Sequence, residues 1–247
     1  MTCALLLTIH FYEPRYHGAG LWPPSPMRLF QALVAGAAEG ANLQEDTRSA
    51  LEWLERLQPP EIVAPPAALG QRYVNYVPNN DADAAKDPIE TPRAGKTIHP
   101  WILETEAPIH YLWAPIEDGS QARQLCALAE RLHHLGRGVD PAWCAARILT
   151  EEEARTEIAG QGIHHRPSGS ASTKQAAPIA GTLRSLERRF ALNREKFTRL
   201  NGKPAFSQPP KPLLREVSYG ATPDRVLYEL RDEARGFLRV PPRDAVT

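Results

Sequence analysis

The chain has 247 residues, of which 42% are hydrophobic and 23% charged, a composition that supports a folded core and excludes global disorder. The three cysteines, Cys3, Cys126 and Cys144, are odd in number and widely spaced, which excludes a disulfide framework and a zinc-ligand pattern and fits a reduced, cytoplasmic setting. Formal net charge is zero, which on the average alone argues against a polyanion partner.

Cys3 to Phe11 is apolar on both faces except for Thr8 and His10, so it reads as a central strand. It is too short to cross a bilayer and lacks a basic leader and a small-residue cleavage site, so no membrane association is expected. Ser25 and Pro26 then stand as cap and first residue of a helix in which Leu29, Phe30, Leu33, Val34 and Ala37 recur at helical spacing, with Gly40 as its terminator. A second helix is expected over Gln44–Leu57, ended by Pro59-Pro60.

Strands are expected over Glu61–Ala64 and Gln71–Val77. The stretch 78–95 is acidic, turn-prone and without a period, and reads as a projecting loop. Strand patterns resume at Lys96–Leu103 and Ile109–Ala114, a helix follows over Ser120–His133, and Trp143–Leu149 is a further strand. This order predicts an α+β, ferredoxin-like (RRM-like) domain over 1–160 with a long inserted loop.

Beyond residue 160 the composition turns rich in Gly, Ser, Ala and Thr, then basic, with a helix expected from Gly181 to Leu200. The zero net charge hides this division. Residues 1–160 carry 13 Lys and Arg against 21 Asp and Glu, whereas residues 161–215 carry 11 against 2. Such a block is either an electrostatic footprint for phosphate or a solvated basic linker. We read 161–247 as a basic, partly helical extension, an appendage and not a second core.

The most specific segment is Arg15-Tyr16-His17-Gly18 followed by Trp22 to Val34 (WPPSPMRLFQALV). With Tyr76 to Asp81, Lys96 to Pro100, Leu135 to Gly138 and Pro178 to Leu183, it resembles the Csb-two family, the fused RAMP subunit of type I-G (formerly I-U) CRISPR systems. The chain is similar to the Cas-five-like half of that fusion, with Val240 to Arg243 near where the Cas-six-like half begins. The resemblance implies a RAMP fold and a non-catalytic subunit of the effector (Cascade) ribonucleoprotein in antiviral defence. That subunit binds the 5′ handle of crRNA and caps the backbone filament. The partners it implies are the repeated backbone (Cas-seven-type) subunit, the large (Cas-eight-type) subunit, the Cas-six-like processing module and, indirectly, target DNA. Loop 78–95 corresponds to a thumb, although its acidity departs from a phosphate-binding role.

The residue chemistry agrees with RNA binding, since single strands are held by cations along phosphates and by aromatic faces under bases. Arg15, Tyr16 and His17 offer both in one loop, although Tyr16 and Trp22 serve equally as packing for the Pro-rich segment. Arg28 opposes the dipole of its helix, which favours a phosphate contact. Arg137 lies between Gly136 and Gly138, glycines that a close ligand approach or a tight turn both explain. His164, His165 and Arg166 open the basic block, and Lys174, Arg184 and Arg188 continue it.

Metal-free cleavage of precursor RNA is an alternative activity, with His17, Tyr16 and Lys96 as its candidates. A purely protein-binding scaffold is another. Metal catalysis is not expected: Asp81, Asp83 and Asp87 lie in the polar loop, and the histidine pairs are adjacent, not spaced i, i+4. No cofactor motif is present.

Overall fold

The computed structural model describes residues 3–18, 20–38, 42–78, 93–169, 171, 173–195, 199–200, 203–204 and 210–222. Strand β1 (Cys3–Phe11) leads through a short β2 (Arg15–Tyr16) to helices α1 (Pro26–Ala37) and α2 (Glu45–Leu54), then to β3 (Glu61–Ala64). β4 (Ala67–Leu69), β5 (Tyr73–Pro78), β6 (Arg93–Ile98) and β7 (Trp101–Leu103) precede β8 (Ile109–Ile116), α3 (Ser120–Ala129) and β9 (Ala142–Thr150). The remainder comprises α4 (Glu151–Ile158), β10 (Ile163–Pro167), β11 (Thr173–Ala177), α5 (Thr182–Glu195), β12 (Arg199–Leu200), β13 (Lys203–Pro204) and β14 (Arg215–Thr222).

Four strands lie in the order β9-β1-β8-β3, all neighbours antiparallel. With helices between β1 and β3 and between β8 and β9, this is the ferredoxin-like arrangement expected from the element order. β1 is apolar on both sides because both sides are covered. Leu5, Leu7 and Ile9 join the core under α1, α2 and α3, while Ala4 and Leu6 meet Ala154 and Ile158 of α4 on the opposite face.

Local chemistry sets the helix starts. Ser25 Oγ accepts from the Arg28 N–H at 3.2 Å, and Pro26 opens α1 where its missing N–H is not needed. Helix α4, absent from the sequence reading, begins with a capping box in which Thr150 and Glu153 bond reciprocally. The signal was a Thr followed three residues later by Glu, obscured by the strand pattern that runs into it.

Strands β10, β11 and β14, beyond residue 160, are not an appendage to this sheet. β10 pairs with β3, β14 with β10, and β11 with β14, extending the sheet to seven strands. Tyr219 of β14 and Leu183 of α5 are buried in the main core. These strands escaped the periodicity argument because their outward residues are polar and paired: Glu61 accepts from His164 Nδ1 at 2.7 Å and Arg166 Nε at 2.9 Å across neighbouring strands.

Other boundaries shift for simple reasons. α2 ends at Leu54 and α3 at Ala129, each followed by tight i→i+3 turns in place of the further helical residues expected. The strand expected over Lys96–Leu103 breaks at His99-Pro100, so that β6 pairs with β5 and β7 with β2 and β4. α5 stops at Glu195. Most of the thumb-like loop, Gly40 and the segment Val240–Arg243 lie outside the described residues, while Pro78 and Arg93 close a β5–β6 hairpin at the base of the loop. Among the described residues no helix is long and apolar enough to cross a membrane.

Candidate nucleic-acid interface

The chain leaves β1, turns at Tyr12 to Pro14 and returns as β2, whose Arg15 and Tyr16 pair with Ile102 and Trp101. The β5–β6 hairpin and the turn before β9 enclose a cavity of about 330 Å³ with this segment. Arg15, His17, Lys96 and Arg137 all line it, together with Tyr73, Asn75, Ile98 and Val139. Four candidates that the sequence scatters over more than a hundred positions thus share one wall-to-wall site. Among the described residues no carboxylate lines the cavity, and Arg15 keeps an exposed ion pair with Glu13.

Asp140 organises this site from behind. One carboxylate oxygen accepts from the His17 backbone N–H at 2.9 Å and lies 2.7 Å from His17 Nδ1; the other accepts from the Arg137 N–H at 2.7 Å. Both side chains are buried, with 4% exposure for His17 and none for Asp140. Sequence reasoning missed Asp140, although an Asp three residues after Arg137 in a Gly-rich turn is a side-chain-to-backbone turn signal.

Tyr16 is corrected from a base-stacking candidate to a support. It is 1% exposed, packed against Phe11 and Trp22 with ring centroids 5.9 Å apart in both cases. Burial pushes its hydroxyl up to about 12, against the opposing pull of Arg28. Gly136, at φ +129°, is required by this packing, since a Cβ there would lie 2.7 Å from Tyr16 Cε2 and collide with the Asp140 carboxylate. Trp22 packs as the alternative reading held, donating its Nε1–H to the Pro65 carbonyl at 2.9 Å.

The other candidates stand elsewhere. Arg28 is half-buried and lines a separate groove between α1 and α5. His165 is buried, its pKa lowered to about 4 by desolvation and then by His164, so it is corrected from a ligand-contacting residue to a neutral interior one. Arg166 is tied to Glu61, and Lys174 on β11 reaches Glu216 at 3.3 Å. Arg184 and Arg188 are exposed on α5. No group of three or more metal-ligating side chains occurs among the described residues.

The motif Pro178 to Leu183 is an anchor. Buried Glu55 accepts from the Gly181 and Leu183 N–H groups at 2.7 and 2.8 Å, and Thr182 Oγ1 donates to the Leu213 carbonyl at 2.9 Å. A carboxylate at a helix N-terminus satisfies otherwise unpaired donors and complements the dipole.

Fold and cavity together define a ferredoxin-like α+β protein with a cation-lined recess at one end of its sheet. Residues 4–240 match the model of the CRISPR-associated protein, GSU0054 family, and the chain belongs to that family. Among solved structures it is similar to a CRISPR protein from Archaeoglobus fulgidus, at a TM-score of 0.33 and 12% identity over 70% of this chain and 68% of that one. No curated protein matches it.

Proposed function

We infer that this CRISPR-associated chain is the non-catalytic subunit of a type I-G effector complex that holds the 5′ handle of crRNA and caps the backbone filament in the cytoplasm. The observation that carries this reading is the convergence of Arg15, His17, Lys96 and Arg137 on one cavity that, among the described residues, no carboxylate lines. Three cations in a recess attract phosphates and release their counterions. Tyr73, 44% exposed with its ring edge-on to His17 at 6.4 Å, offers a base a stacking face beside them. The Csb-two resemblance supports the same reading and adds as partners the repeated backbone subunit, the large subunit and the Cas-six-like module.

One observation favours metal-independent RNA cleavage as a second reading. A carboxylate on Nδ1 holds the His17 imidazole in the tautomer whose Nε2 accepts a proton, and neighbouring cations would stabilise a pentacovalent phosphate. The two readings separate when the purified chain is incubated in EDTA with labelled precursor-repeat RNA and with mature guide. Handle-dependent binding without cutting is the expected result. Site-specific cutting abolished by H17A would replace the first reading with the second.

A further inference from the structure

Among the described residues, the sheet face opposite α1, α2 and α3 is covered only in part. Helix α4 lies over Ala4, Leu6, Val63 and Leu112. Farther along β1, His10 on that same face stands directly across from Trp143 of the terminal strand β9. Their rings stack with centroids 4.1 Å apart and planes 7° from parallel. Trp143 nevertheless keeps 44% exposure, so one indole face meets the imidazole and the other remains open. Tyr12, 69% exposed, follows two residues after His10. Beneath them His110 bonds Thr8 through Nδ1 at 3.1 Å, and its buried Nε2 has no partner among the described residues.

We propose that the Trp143–His10 stack is a platform for an unpaired base of the RNA strand whose phosphates occupy the cationic cavity. This rests on the handle-binding reading. Three observations select a nucleic-acid strand as the occupant. The surface is a flat, pre-stacked aromatic pair, which any base can extend irrespective of sequence. The recess beside it carries Arg15, Lys96 and Arg137 and, among the described residues, is lined by no acid, which suits a polyanion and not an acidic protein side chain alone. Val139 lines that recess and precedes Trp143 by four residues, so the two are at most about 14 Å apart along the chain. One strand reaches both.

The test is binding of a fluorescent 5′-handle RNA to the full chain, with W143A, W143F and K96A compared over a salt series, and photocrosslinking of a 4-thiouridine-substituted strand. W143A is expected to weaken binding about 10-fold without changing the salt slope, because a stacked base is lost and no phosphate contact. W143F should restore most of the affinity, and crosslinks should fall within 142–147. Normal binding by W143A, with K96A still impaired, would overturn the platform and leave the cavity reading intact. Absence of RNA binding by the unmodified chain would overturn both, and loss of a protein partner in place of RNA on W143A would reassign the stack to a protein contact.

Discussion

Asp140 meets His17 at two points with one carboxylate oxygen, the backbone N–H at 2.9 Å and the ring Nδ1 at 2.7 Å, across 123 positions of sequence. The contact clamps the segment after β1 to the turn before β9, and the Arg137 N–H takes the remaining oxygen. His17 and the Arg137 backbone are therefore held by an anion that is itself buried, out of a ligand's reach.

Removing that clamp with D140A leaves three buried or half-buried donors without an acceptor. We expect a loss of about 3 kcal/mol in urea denaturation, with D140N intermediate because it keeps the volume and one acceptor oxygen. RNA affinity should fall with it, since Arg137 and His17 lose their positions.

Charge removal in the cavity has a separate signature. K96A and R137A should each reduce the slope of log affinity against log salt by about 0.7, the value for one phosphate contact on a single strand. Thermal unfolding of K96A should be unchanged, as Lys96 is exposed.

G136A introduces a Cβ where the backbone is at φ +129° and Tyr16 and Asp140 already fill the space. The combined strain should cost roughly 2–4 kcal/mol, read as a lowered denaturation midpoint.

At Glu55 the expected effect is regional. E55A leaves the Gly181 and Leu183 N–H groups unpaired and should speed amide exchange throughout Thr182–Glu195, with a stability loss of about 2–3 kcal/mol.

Acid should weaken the fold through His110 and His165. Burial lowers His110 and His165 to about 4, with His10 and Arg147 adding to the shift at His110 and His164 at His165. Unfolded histidines bind protons below about 6.5, and these two do not until about 4. Stability is therefore undiminished above pH 6.5 and declines as pH falls from there to 4, by roughly 3 kcal/mol for each group. H110Q should flatten this part of a pH series of denaturation midpoints.

The sheet's central strands and the first helix were legible because burial writes itself as pattern. Leu5, Leu7 and Ile9 face one core, Ala4 and Leu6 another, and only a doubly covered strand carries both. β10 was opaque for the opposite reason: its outward His164 and Arg166 owe their place to Glu61, about a hundred residues earlier. At the site, Arg15, His17, Lys96 and Arg137 could each be nominated from residue type and loop position. Their convergence could not, because it depends on the β5–β6 hairpin folding over β2. Tyr16 shows the limit most clearly, since a loop tyrosine beside Arg and His looks the same in sequence whether its ring faces a base or lies under Gly136.

The pairing of β10 with β3 bears on how the molecule is made. During synthesis the ferredoxin-like unit can close once β9 has emerged, yet β3 then presents a bare hydrogen-bonding edge until residues 163–167 arrive to cover it. Such an edge is a template for pairing with other chains. Expression stopped near residue 160 should therefore yield a sticky, self-associating product, and the C-terminal strands act as a built-in guard for the nascent sheet.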